Sequence, residues 1–373
     1  MMMSRSLNPR FISQAHGISI FVCGALFSAT ATSRSGAQSM SQSLTHFLKE
    51  SIALTSDEMN VASSGKPVVK VLEPSDKREI VAFGIVSIAV PRSFYVDRAA
   101  DFAASLRDPS RLRFALFSNP ASSADVAGFS LPHDDVKDLA SCHPGSCKVK
   151  LSADAITELQ ASLDPTKPSA DSIVNAYFRS RMVEYVTAYR ARGDAALIEY
   201  ADARDRIAAA QVFADMLSRS TYMYQYAPTL ESYLKSYPNH RPASAHEALY
   251  WSEEDLPGLK PTLTITHEVV YAPSELPGTT LIASKQLYAD HYLDGALGLT
   301  AAVDQATSDA AAPSSIYLVL LRRLHFDDLP SGGLMNVRGK VIGKLRDQTE
   351  TSLRDSKSRS EQAYGNSPHS AAH

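Results

Sequence analysis

Apolar and polar positions follow two different periods along this chain, and each period occupies its own stretches. Thr262 to Tyr271 alternates: Leu263, Ile265, Val269 and Tyr271 share one face with His267, while Thr264, Thr266 and Glu268 point the other way. That is the pattern of a half-buried strand, and its β-branched residues suit one. Thr279 to Tyr288 and Leu293 to Val303 predict two further strands, with Asp294-Gly295 as a turn between or within them. Ile316 to Leu321 is apolar on both faces until Arg322 and Arg323, as for a strand covered on two sides. Glu79 to Val90 reads the same way and is ended by Pro91; Arg113 to Phe117 is another short strand.

After Ser331-Gly332-Gly333 the period becomes helical. Leu334, Val337, Val341 and Leu345, with Leu353 further on, form the apolar side, and Arg338, Lys340, Lys344, Arg346 and Asp347 cover much of the rest. Gly339 and Gly343 inside this helix each cost about 1 kcal/mol against alanine. We read them as letting the helix approach a sheet closely. An antiparallel meander closed by a long helix across its concave face is an α+β helix-grip arrangement.

The middle of the chain is helical. Val174, Phe178, Met182, Tyr185 and Tyr189 fall three or four apart within Ser169 to Tyr200. Arg206 to Ser220 continues the pattern, and a third helix starts at Pro228, which suits a first helical position. Residues 169–237 thus form a helical insertion packed on the sheet. Ser93 to Leu106 predicts a helix capped by Ser93, and Ser152 caps another that presents Ile156 and Leu159. Asp125 to Leu139 reads as loop with one helical turn. The expected organisation is a leader over residues 1–37, a poorly ordered lead-in over 38–74 with a short helix at Leu44 to Leu54, one domain over 75–360, and a disordered tail over 361–373.

Composition adds an address. With 373 residues, 44% hydrophobic and 21% charged, the chain can build an ordinary globular core. A net charge of −3 gives no electrostatic reason to expect nucleic acid. Arg5 and Arg10 precede an apolar run, Ile18 to Phe27, followed by small residues at Ala29-Thr30-Ala31 and Ser35-Gly36-Ala37. This predicts a secretory signal peptide, because the run is too short to span a bilayer, and hence a periplasmic or secreted protein. Removing the leader leaves Cys142 and Cys147 around His143-Pro144-Gly145-Ser146. An even count in an exported chain, with a turn between the pair, predicts a disulfide. Free or metal-binding thiols are the alternative, although two thiols and His143 fall one ligand short of a structural zinc site.

The chain carries no nucleophile elbow, phosphate loop, paired metalloprotease histidines or dinucleotide fingerprint, and no catalytic residue, metal or cofactor is implied. His267 stands on the apolar face of its strand. A hydrogen-bonded core histidine is the simplest account of it, and a ligand contact or a base is the sharper one. His291 lies between Asp290 and Asp294, either as a carboxylate-supported histidine or as part of a solvated turn. Convergence of His267, His291 and Asp290 would make a metal or acid–base site, which alternation alone cannot show. The sixteen tyrosines, with a knot at Tyr222, Tyr224 and Tyr226, either line a pocket or pack at a helix–sheet seam.

Two resemblances bear on these readings. The segment Asp138-Leu139 through Cys142-His143-Pro144-Gly145-Ser146-Cys147 to Leu151 resembles a hallmark of an uncharacterised bacterial exported family. Ala82 to Val86, Tyr250-Trp251-Ser252 and Ile282 to Tyr288 are similar to further stretches of that family. It implies no activity. The order strand, proline, helix over Ile80 to Leu106, with the late meander and closing helix, is similar in pattern to START-like lipid-binding domains. That likeness implies an apolar cavity between sheet and helix. The resulting expectation is an exported, non-catalytic protein that binds a lipid or other apolar small molecule there. Its candidate contacts are His267, Tyr271, Tyr288, Arg322, Val337 and Val341, and it would make peripheral contact with the cell envelope. The alternatives are an envelope hydrolase, with or without a metal, using His267 or His291, and a structural or partner-binding envelope protein.

Overall fold

The computed structural model describes residues 44–107, 111–163, 170–255, 259–305, 314–329 and 336–367. The expected signal peptide, Gly332-Gly333 and Leu334 lie outside them. Among the described residues no helix is long and apolar enough to cross a membrane.

The strands are β1 (Val68–Leu72), β2 (Glu79–Ile88), β3 (Arg111–Leu116), β4 (Glu199–Tyr200), β5 (Ile207–Ala208), β6 (His246–Glu254), β7 (Thr262–Tyr271), β8 (Thr279–Ala289), β9 (Leu293–Asp304) and β10 (Ile316–Phe326). Eight of them form one antiparallel sheet in the order β1-β2-β10-β9-β8-β7-β6-β3, and β4 pairs with β5 in a separate hairpin. The helices are α1 (Ser56–Ser63), α2 (Arg92–Ala100), α3 (Phe102–Ser105), α4 (His133–Ala140), α5 (Ala153–Ser162), α6 (Ala170–Arg192), α7 (Ala209–Ser218), α8 (Thr221–Tyr226), α9 (Pro228–Ser236) and α10 (Val337–Gly365). The protein is therefore α+β, with a large antiparallel sheet and a C-terminal helix.

Each sheet face has its own cover. Leu263, Ile265, Val269 and Tyr271 of β7 pack with Trp251, Ala283 and Leu287 beneath the middle helices, whose Val174, Phe178 and Met182 join the same core. The opposite face carries α10. Its Leu353 packs with Val86, Ile88 and Leu318, and its Leu345 with Ile80, Ala82 and Phe326.

α10 runs along β2. Arg338 Nη1 donates to the Glu79 carbonyl at 3.0 Å, Lys357 Nζ to that of Ser87 at 3.2 Å, and the Ala89 amide to Glu361 Oε1 at 2.8 Å. The lengths agree, since twenty-three helical steps rise about 35 Å and ten strand steps about 33 Å. The close approach is made by a sheet glycine. A Cβ on Gly84 would lie 2.7 Å from Leu353 Cδ1 and 3.0 Å from Thr349 Cγ2. The helix glycines do not make it: among the described residues nothing lies within 4 Å of a Cβ on Gly343, and one on Gly339 would strike its own cap, Asn336.

Other expectations are corrected by long-range packing. The lead-in is ordered from residue 44: Leu48, Ile52 and Leu54 are buried with Val81, Phe83 and Ile85. Thr55 and Glu58 close a capping box on α1, and β1 pairs with β2. Ser93 is not a cap. α2 starts after Pro91, and Asp101 accepts from the Ala104 amide to begin α3. The stretch before the disulfide holds two full turns in α4 rather than one. β6 is unannounced, because Ala248-Leu249-Tyr250-Trp251 shows neither period. The turn between β8 and β9 is at Asp290 to Tyr292, so Asp294-Gly295 falls inside β9. α6 stops at Arg192 because Gly193, at φ +57°, lies so near the Tyr237 carbonyl that a Cβ would be 1.8 Å from its oxygen. α10 continues past residue 360, and Tyr364 meets Phe94 with ring centroids 5.0 Å apart.

Cys142 and Cys147 form a disulfide. Its loop is docked, with the Gly145 amide donating to the Ala201 carbonyl at 2.7 Å and the Cys147 amide to that of Asp202 at 2.8 Å. Replacing both cysteines by serine is expected to lower the unfolding free energy by about 2 kcal/mol through loop-closure entropy. Equal urea midpoints for variant and parent would refute that.

Candidate ligand cavity and buried charge networks

The polar face of β7 and the next stripe of α10 face each other across a hollow of ≈ 550 Å³. Val341, Lys344, Gln348, Thr351, Ser352 and Asp355 of α10 form its roof at helical spacing. They adjoin the stripe of Leu345, Thr349, Leu353 and Ser360 that is buried. The floor is Thr264, Thr266 and Glu268 of β7 with Ser284 and Gln286 of β8. One end is apolar, where Leu293, Leu324, Phe326, Val341 and Leu345 meet.

Two floor groups are poorly satisfied. Glu268 accepts from Ser284 Oγ at 3.1 Å, and Arg111 acts on it as a nearby charge. Burial raises its pKa, against the pull of Arg111, Ser284 and Tyr250. Arg111 is itself bound to Glu254 at 3.1 Å, over the Tyr250 ring. The buried Nε2 of Gln286 has no hydrogen-bond partner among the described residues. An orphaned buried donor of this kind costs about 1–3 kcal/mol unless something else accepts from it.

The candidate contacts divide between the two faces. Arg322 and Val341 line the cavity. Val337 opens α10 but is not among the lining residues. His267, Tyr271 and Tyr288 belong to the other face, because odd positions of β7 point under the middle helices. The register shift between Ile265 and Thr266 against β8 brings Tyr288 to that side too. Tyr288 lines a second hollow of ≈ 520 Å³, with Phe178, Met182, Tyr185 and Ile265. Its hydroxyl donates to the Lys150 carbonyl at 2.9 Å.

His267 is fully buried, and both its ring nitrogens are engaged. Tyr189 Oη lies 3.1 Å from Nδ1 and Glu247 Oε2 lies 3.3 Å from Nε2. Tyr233 donates to the same carboxylate, and the Tyr237 ring lies 4.5 Å from the imidazole. Burial depresses its pKa, with Glu247 opposing. The surrounding tyrosines pack at a helix–sheet seam, with Tyr189 stacked on Tyr237 at 4.7 Å.

Beneath the middle helices the sheet carries charges that alternation did not announce. Lys285 is fully buried, donates to Asp194 and lies 3.7 Å above the Phe213 ring. Burial lowers its pKa to about 8, with Asp194 opposing. Lys150 meets Asp294 at 2.9 Å, Asp202 at 3.5 Å and Asp327 at 3.6 Å. Burial opposes its charge, but these carboxylates outweigh burial and raise its pKa.

His291 and Asp290 do converge, although with Asp135 rather than His267, and their ligand atoms lie within 4.8 Å of one another. His291 Nδ1 faces the Lys148 carbonyl at 3.1 Å and Nε2 faces Asp135 Oδ2 at 3.2 Å. Burial opposes imidazolium, but the two aspartates outweigh it and raise the His291 pKa. Burial pushes Asp290 up to about 7, with His291 opposing. An imidazole and two carboxylates are a donor set for a divalent ion. Lys260, 2.9 Å from Asp135 Oδ1, already supplies one positive charge there. The recurrence of the pairing at His325 and Asp294, 3.1 Å apart, marks histidine–aspartate pairs as a habit of this core.

The signal that could have found the cavity is the second face of the alternation. Thr266, Glu268, Ser284 and Gln286 occupy the polar positions of two neighbouring strands, and beneath a helix such positions border a half-open hollow rather than a bare solvated face. Comparison with protein-family models finds no match for this chain, and neither does comparison with curated proteins.

Proposed function

We propose that this is a non-catalytic binding protein that holds a small amphiphilic molecule between the sheet and α10, in the manner of the START-like helix-grip domains. The observation that carries the reading is the ≈ 550 Å³ hollow under the closing helix, with an apolar end and a polar floor. Binding pockets combine apolar walls with a few placed polar groups, and a hollow of this size falls within their usual range. The floor speaks for an amphiphile rather than a purely apolar guest, because threonines, Glu268 and Gln286 would lose hydration to a bare hydrocarbon. His267 does not enter this reading, since its site is sealed and its hydrogen bonds are made. We also propose that the protein acts outside the cytoplasm, an address the disulfide favours.

Native mass spectrometry of gently purified protein is expected to show an added mass that organic extraction removes. Gly298 lies on the cavity floor, and a Cβ there would meet Ser284 Cβ at an ordinary 3.5 Å, so Gly298→Leu fills the hollow without striking backbone. That variant should fold and lose the added mass. If it keeps the full complement of ligand, the site is elsewhere.

A further inference from the structure

We infer that the molecule held under α10 carries a cationic nitrogen, which pairs with Glu268 while its apolar part lies against Leu324, Phe326 and Leu345. The inference rests on the cavity reading above and names the chemical class of its ligand.

The charges facing the hollow are unequally provided for. Arg111 is held by Glu254, and Arg322 and Lys344 each have an interaction within the protein. Glu268 feels the charge of Arg111, but its side-chain hydrogen bond is from Ser284, which leaves a carboxylate on the floor open to a cation. Glu268 is built into a fixed place. Its Cα is opposite Ser284 across β7 and β8, Ser284 is opposite Gly298, and Gly298 is opposite Arg322. This row sets a carboxylate and a guanidinium at two ends of a floor made of one serine and one glycine. Three strand spacings separate them, about 14 Å, so Arg322 cannot neutralise Glu268 directly. The small residues between them leave the room a ligand needs.

A second group fixes the head's orientation. Gln286 stands two residues along β8 from Ser284, a diagonal neighbour of Glu268 at about 7–8 Å. Its unpartnered Nε2 calls for an acceptor beside the cation, such as the oxygen of an amide, ester or hydroxyl next to an amine. A carboxylate or sulfate head would instead set a like charge beside Glu268 in a half-covered site.

The test compares three probes of equal chain length, n-decylamine, n-decanol and n-decanoate, at neutral pH and below their micelle-forming concentrations. Binding is measured by calorimetry on the full chain, on Glu268→Gln and on Gly298→Leu. Decylamine is expected to bind the parent protein at least roughly tenfold more tightly than decanol, as for a charge-assisted hydrogen bond. Decanoate should bind weakest, Glu268→Gln should bring the amine-to-alcohol ratio towards one, and Gly298→Leu should weaken all three. Equal affinities for amine and alcohol, or tightest binding of decanoate, would overturn the cationic ligand while leaving the cavity reading in place. No binding of any probe by the parent, or undiminished binding by Gly298→Leu, would overturn both.

Discussion

Glu79→Leu should lower the free energy of unfolding by about 3–5 kcal/mol, the usual cost of removing one partner from a buried ion pair. Glu79 is completely buried at the start of β2 and is clasped by two arginines. Arg323 from β10 donates to one carboxylate oxygen, and Arg219, just past α7, donates to the other at 2.6 Å. The carboxylate therefore joins two strands to the helical layer. Without it Arg323, only 7% exposed, keeps its charge with no ion-pair partner among the described residues. Arg219 is 28% exposed and can turn to water. The pairing of Glu79→Leu with Arg323→Met is accordingly expected to recover most of the loss, because apolar residues of similar volume escape the desolvation penalty of both charges. Urea unfolding of both single variants and the double variant measures this. A Glu79→Leu protein as stable as the parent would show the pair to be dispensable.

Gly84→Val should loosen the closing helix. The substituted Cβ would fall inside the contact radii of Leu353 Cδ1 and Thr349 Cγ2. Leu353 is fully buried, and Thr349 is stiff at its branched carbon, so neither side chain can step aside without moving α10. Overpacking of this kind costs about 1–3 kcal/mol. Leu353→Ala alone should cost about 2–5 kcal/mol through the space it empties. Combined, the two changes should partly cancel, since the valine occupies room that leucine gave up, and the coupling energy from the four proteins reads this directly. Strict additivity would mean that the helix does not rest on Gly84. The same variants bear on binding, because α10 supplies the cavity roof.

Much of the architecture is legible in the chain. The alternation of β7, the two-sided apolar runs of β2 and β10, and the helical recurrence from Val337 to Leu353 are local signals. Each forms the kind of element its period predicts, although β7, read as half-buried, is covered on both faces because α10 lies over its polar side. The disulfide is legible too, from two cysteines around a turn. The misses share one cause, which is that distant residues decide them. Leu48 and Leu54 form part of the core only because Phe83 and Ile85 of β2 lie beside them. β6 is a strand because β7 on one side and β3 on the other complete its ladder, in spite of an unpatterned sequence.

Periodicity and punctuation, which depend on neighbours three or four residues away, were enough to determine an α+β chain closed by a long amphipathic helix. Which face of the sheet that helix covers depends on contacts between residues more than two hundred positions apart, such as Gly84 with Leu353. Only the tertiary structure decided it, and with it that His267 is a sealed core residue while Glu268, its neighbour in sequence, opens on the cavity. A strand sends successive side chains to opposite faces, so one residue of offset separates a core from a binding site, and only the covering layers tell which is which.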